Sequence, residues 1–206
     1  MDNILNIIFT TLLIAAQIAT VYLAARGNRW TWVLSIITGV TLCYNFFTET
    51  LYLSFAFQVY SILASIGGVL IWKKKESDNR RTICWGNPVW PLLSVVALTA
   101  AVYFIVYIAL HRFGVQLLDS KQPLIDCAIP ALQAVATFLM VRKDINAWIC
   151  YLICDAIYIP LGIISVAHGG SYKWFFISAC FLATATYGTI NFVKAYRQTK
   201  KAGQQQ

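Results

Sequence analysis

The sequence predicts an all-α membrane protein of seven transmembrane helices in a 3+1+3 order, with two parallel three-helix repeats. Three observations predict it. The 206 residues are 59% hydrophobic and only 12% charged, with a mean hydropathy of +0.66, which is membrane composition. Seven apolar runs follow one another, at about 4–25, 33–48, 51–72, 89–111, 123–141, 147–167 and 174–196. The runs group by their connections: the long gaps, 73–88 and 112–122, isolate the fourth run between two triplets.

Most runs have the roughly 20 residues that span hydrocarbon; the second must recruit its flanks. The first starts at Ile4 with Asp2 and no basic segment before it, so it reads as a span and not as a cleaved leader. The chain divides into a first repeat at 1–72 and a segment at 73–122 that holds a basic loop, the linker helix and an outer loop. A second repeat follows at 123–196, and a tail at 197–206. Pro130 and Pro160 fall inside runs and each releases a backbone carbonyl, as a static kink or as a hinge.

Lys and Arg set the sides. With the N-terminus outside, thirteen of the sixteen fall inside, including Arg26, Arg29, Arg142, Lys143 and the stretch KKKESDNRR at 73–81. Arg112, Lys121 and Lys173 fall outside. This favours the N-terminus out and the C-terminus in the cytoplasm. The net charge of +8 is then a topology anchor at an anionic leaflet and does not point to nucleic acid.

A gapless shift of 116 residues places Gln17 on Gln133, Arg26 on Arg142 and Trp32 on Trp148. An odd helix between the triplets gives them the same orientation, so the repeat is parallel, and such repeats hold substrate between the halves. The shift also exposes a difference. Tyr151 and Asp155 of the sixth run have Ser35 and Gly39 as mates.

Trp148, Tyr151 and Asp155 stand at i, i+3 and i+7, within about 60° of one helix face. A carboxylate in hydrocarbon costs about 2.5 kcal/mol or more and needs water, a partner or a ligand. This face is the candidate substrate site. Other polar residues within the runs are Gln17, Asn45, Gln58, Asp126, Gln133 and Asn191; in its simplest role each is an interhelical hydrogen bond worth ~0.6 kcal/mol. Gln58 leads among them, and Asn45 and Gln133 join it in the candidate set. The tryptophans near run ends, Trp30, Trp32, Trp72, Trp85, Trp90 and Trp174, read as an aromatic belt.

Nothing points to catalysis or to a bound cofactor. There is no HExxH, GxSxG, Walker loop or Gly-rich dinucleotide motif. The six cysteines have no CxxC spacing and no nearby His pair, so they read as small packing residues, and no metal site is expected. A retinal-type sensor needs a lysine in mid-membrane on the last helix, and Lys194 lies at that helix's end. An intramembrane enzyme needs a nucleophile–base pair, which Asp155 lacks.

On these residues the chain resembles the PnuC-type vitamin transporters, over nearly its whole length. The resemblance rests on Ala24-Ala25-Arg26-Gly27-Asn28 with Trp32, and on Leu51-Tyr52, Gln58, Tyr60, Gly67 and Trp72. It continues with Asp126, Leu139, Arg142, Lys143, Trp148 and Asp155. The family pattern on the sixth helix, Trp-x-x-Trp-x-x-x-Asn/Asp, is altered to Trp148, Tyr151, Asp155. A Gly-Tyr-x-x-Trp ending of the seventh is missing after Tyr187-Gly188. The resemblance implies a fold like an enlarged sugar-efflux (SWEET) transporter in a bacterial inner membrane, assembled as a homotrimer. It implies uptake of nicotinamide riboside by facilitated diffusion, with trapping by a cytoplasmic kinase. Thiamine, other nucleosides and riboflavin remain alternative substrates.

Overall fold

The computed structural model describes residues 2–48, 52–77, 83–113, 123–167 and 172–203. They form seven helices: α1 (Asp2–Ala25), α2 (Trp30–Thr48), α3 (Tyr52–Ser77), α4 (Val89–Phe113), α5 (Pro123–Val141), α6 (Asn146–Ala167) and α7 (Tyr172–Gly203). Each apolar run of the sequence is one helix. Two helices outlast their runs, α3 into the basic stretch and α7 to Gly203. Phe55–Lys73 and Val89–Ala109 are long and apolar enough by themselves to cross a bilayer.

The principal contacts close six helices into a ring. α1 packs on α2 and α7, α2 on α3, α3 on α5, α5 on α6, and α6 on α7. α4 packs on α5 from outside the ring, and only 6% of its 89–109 stretch is buried. Its exposed Leu92, Leu93, Val96, Phe104 and Ile105 make a surface suited to acyl chains rather than to water.

The 116-residue shift has a local structural counterpart. The α1–α2 and α5–α6 turns place Gly27 (φ 67°) and Lys143 (φ 61°), a shift of 116, in the same left-handed conformation. Gly27 N–H donates to Ala24 O and Lys143 N–H to Met140 O, both at 2.9 Å. The next residues cap the following helices: Asn28 Oδ1 accepts from Trp30 N–H and Asp144 Oδ1 from Asn146 N–H, both at 3.0 Å. Arg26 lies over the Tyr22 ring as Arg142 lies over Phe138.

Glycines on the third helix of each triplet admit the two tryptophans. A Cβ on Gly68 would lie 2.3 Å from the Trp32 ring, and one on Gly188 would lie 2.5 Å from that of Trp148. Trp32 then meets Trp72 edge-on at 5.4 Å, and Trp148 meets Phe192 at 5.5 Å. This corrects the belt assignment. Trp30, Trp85 and Trp90 are exposed, as a belt requires, but Trp32 and Trp72 are only 4% and 1% exposed. The missing side chain of Gly68 draws Trp32 inward, and Trp72 Nε1–H is used on Val141 O at 3.0 Å. Trp174 lies where no side chain is described.

The halves meet along two seams. At one, Trp72 bonds Val141 and Tyr60 O–H donates to Ala134 O at 2.9 Å, joining α3 to α5. At the other, Tyr22 stacks on Tyr187 at 6.0 Å and Asn191 Nδ2 donates to Ala25 O at 3.5 Å. The end of the α3–α4 loop is clamped onto the α5–α6 turn. Cys84 N–H donates to Lys143 O, Ile145 N–H to Cys84 O, and Asn146 Nδ2 to Gly86 O. Trp85 then meets Tyr196 of α7 edge-on.

Candidate functional site

A cavity of about 240 Å³ lies inside the ring, and all six ring helices line it. α1 supplies Thr20, Val21 and Ala24; α2 supplies Thr31, Trp32 and Ser35; α3 supplies Phe57, Gln58 and Ser61. From the second half come Gln133, Thr137 and Met140 of α5, Trp148, Tyr151, Cys154 and Asp155 of α6, and Phe181 and Ala185 of α7. No described α4 residue contributes.

Five of the six residues singled out from the sequence line this cavity: Gln58, Gln133, Trp148, Tyr151 and Asp155. The sixth, Asn45, belongs to α2, and its side chain lies outside the described residues, as does that of Asp126 on α5. The α6 face is built as its spacing requires. The Trp148 and Tyr151 rings are 6.1 Å apart and inclined by 60°, so they form a corner and not a parallel stack. Trp148 is fully buried, wedged between Gly188 and Phe192.

Thr137 O–H donates to Gln133 O at 2.8 Å, and Thr137 Oγ1 lies 3.1 Å from Tyr151 Oη. Thr137 has a single hydroxyl hydrogen, so Tyr151 is the donor in that pair. The bond fixes the Tyr151 ring against α5. Asp155 stands near the middle of α6 and is 9% exposed. Among the described residues no cation is paired with its carboxylate, and no Lys or Arg lines the cavity. The indole N–H groups of Trp32 and Trp148 are buried without a hydrogen-bond partner. The wall therefore offers a flat aromatic corner, one anionic acceptor, two side-chain amides and unused donors.

Sequence reasoning missed Thr20, Thr31, Ser35, Ser61 and Thr137. A hydroxyl in an apolar helix usually bonds a backbone carbonyl, Thr20 and Thr137 on their own helices and Thr31 on Thr20 O of α1, so the residue type carries no site signal. Trp32 was legible only as the repeat mate of Trp148. Tyr60 turns away from the cavity, since two residues of helix separate it from Gln58 by about 200°. It faces a second, wider groove of about 610 Å³ between α3, α4 and α5. Leu53, Leu98, Val102 and Phe138 line that groove, and Arg142 and Trp90 are its main polar features, so it suits hydrocarbon rather than a polar solute.

The model of the nicotinamide mononucleotide transporter family matches residues 7–194. The chain belongs to that family. It is therefore a membrane transporter and not an enzyme. The fold agrees with a solved member. The chain is similar to the crystal structure described as the vitamin B3 transporter PnuC, at a TM-score of 0.62 and 19% identity. The match covers 95% of this chain and 88% of the other. Comparison with curated proteins finds no match. In this chain the ring of six helices with α4 outside is the scaffold, and the cavity is the place where all six meet.

Proposed function

We propose that this transporter takes up nicotinamide riboside by facilitated diffusion, the cargo resting in the ring cavity. The observation that carries the reading is the buried Asp155 beside the Trp148–Tyr151 corner, with no cation paired to it among the described residues. A pyridinium cation gains about 0.5–2 kcal/mol from an aromatic face. It also offsets the cost of holding a carboxylate in the membrane. Gln58 and Gln133 are placed to bond the carboxamide and ribose hydroxyls. With no Lys or Arg among the described residues of the wall, a phosphate there would face Asp155 uncompensated. The cavity thus favours the riboside over the mononucleotide that gives the family its description. Thiamine, whose thiazolium is also a flat cation, is the second reading.

The test is uptake into liposomes that contain the purified protein. Labelled nicotinamide riboside should enter and level off at the outside concentration, because Asp155 is the one carboxylate among the described residues that line the cavity. Excess thiamine, riboflavin and uncharged nucleosides are added as competitors. Accumulation above the outside level under a proton or sodium gradient would refute passive transport; complete competition by thiamine alone would move the cargo to the second reading.

The basic residues support an orientation with the N-terminus outside a bacterial inner membrane and the C-terminus in the cytoplasm. The homotrimer and the trapping kinase follow from the resemblance alone. In a chain with Cys84 and Cys180 replaced, Ser171→Cys should react with an impermeant thiol reagent on intact cells, and Ser77→Cys should not. The reverse pattern would invert the molecule.

A further inference from the structure

The basic end of the bundle holds a second chamber that the transport reading leaves unused. It has a volume of about 400 Å³ and lies between the α1–α2 turn, the α5–α6 turn, α7 and Ile83. Arg26, Lys143 and Lys194 line it, with Asn191, Gln198 and Thr199. No carboxylate is among the described residues that line it. It is one layer from the ring cavity. Ala24 faces the cavity and Ala25 the chamber, and Phe192 of the chamber packs on Trp148 of the cavity.

Lys143 is the second observation. Its φ of 61° is the conformation that its repeat mate, Gly27, adopts with a φ of 67°. A side chain raises the energy of that backbone, so glycine is the relaxed choice there. Instead the chain places a lysine, buries it to 8% exposure, and turns its ammonium to 4.4 Å from the centre of the Trp72 ring. Its left-handed backbone sets Lys143 apart from its glycine mate, and backbone strain of this kind collects at functional sites. Trp72 and the clamped loop end at Ile83 hold it against one side of the chamber, while Lys194 comes from α7 and Arg26 from α1.

We propose that this chamber binds a phosphate group. Three basic residues from three elements line one chamber together with amide and hydroxyl donors, and this lining matches the charge of a phosphate and its several acceptor oxygens. The phosphate comes either from a soluble monoester, such as the nucleotide formed when imported nucleoside is phosphorylated, or from the headgroup of an anionic lipid.

The test uses full-length protein in nanodiscs of phosphatidylcholine, titrated with inorganic phosphate and with nicotinamide mononucleotide. In parallel, detergent-solubilised protein is mixed with phosphatidylglycerol and retained lipid is read by native mass spectrometry. The variants are Lys143→Gly, Lys194→Gln and Arg26→Gln. Lys143→Gly installs the residue that the backbone prefers, so its melting temperature should be unchanged or higher. Lys143→Asn, which also tolerates a left-handed backbone, serves where loss of the Trp72 contact lowers stability. Each substitution should weaken occupancy by about tenfold. Soluble ligands that bind the wild type and are lost in the variants identify a free phosphate ester. Phosphatidylglycerol retention lost in the variants, without soluble binding, identifies a lipid headgroup. If Lys143 only packs on Trp72, then Lys194→Gln and Arg26→Gln change neither readout. Wild-type occupancy in those two variants, or none in any protein, overturns the proposal.

Discussion

Gly188→Ala is expected to lower both the melting temperature and the affinity for nicotinamide riboside. The new Cβ would lie 2.5 Å from Trp148 Cζ3 and 2.6 Å from Cε3 and Cη2, well inside van der Waals contact. The indole has little room to retreat, with Phe192 5.5 Å away and Tyr151 6.1 Å away, each measured between ring centres. Overpacking of this kind costs about 1–3 kcal/mol, and any relief pushes Trp148 into the cavity. Gly68→Ala should behave alike, since its Cβ would lie 2.3 Å from the Trp32 ring. The control is the neighbouring Gly67→Ala, where nothing lies within 4 Å. On the same helix it should be neutral, or more stable by about 0.5–1 kcal/mol from helix propensity. Thermal unfolding and calorimetry on all three variants check this. A Gly188→Ala protein with the melting temperature and affinity of the wild type would mean that Trp148 is not held as described.

Tyr151→Ala should weaken riboside binding by roughly tenfold to a hundredfold, because losing one aromatic stack costs ~1–3 kcal/mol. Tyr151→Trp should keep or improve binding, since an indole offers a larger face to the same flat ring. Tyr151→Phe loses only the bond to Thr137 and should lose about 1 kcal/mol of stability with little change in affinity. Asp155 separates cationic from neutral cargo. Asp155→Ala should weaken a pyridinium ligand, while Asp155→Asn should keep binding of an uncharged nucleoside, since an amide still offers hydrogen bonds. A purely architectural role predicts a different pattern: lower melting temperatures with unchanged affinity in Tyr151→Ala and Asp155→Ala. Affinity and melting temperature measured on the same samples tell the two apart. Wild-type affinity in both well-folded alanine variants would remove the α6 face from the binding site.

The α6 face was legible because helical periodicity is rigid. Residues 148, 151 and 155 must share a side whatever surrounds them, and a carboxylate in an apolar run must face inward. Gln58 and Gln133 were legible for the second reason, as amides that lipid would reject. The hydroxyl-bearing wall was not, because Thr20 and Thr137 satisfy themselves on the carbonyl one turn back and show no unmet need in the sequence. Trp32 and Trp72 were misplaced in the belt for a related reason. A tryptophan near a helix end suits a headgroup region equally well, and only the bare backbone of Gly68, one helix away, draws Trp32 into the core.

By itself the sequence determined the seven helices, the basic asymmetry and the shared α6 face of Trp148, Tyr151 and Asp155, since each is set by local chemistry: a run long enough to span, a charge that resists translocation, a fixed 3.6-residue period. The tertiary structure decided what lies opposite what. It turned Gln58 toward the cavity and Tyr60 toward the outer groove, closed α1 onto α7, and left α4 outside the ring. It also brought Arg26, Lys143 and Lys194, far apart in the chain, to one chamber. Such meetings depend on where small residues let helices approach and on where a left-handed turn redirects the chain. No single segment contains both partners of such a contact, so no local pattern can announce it.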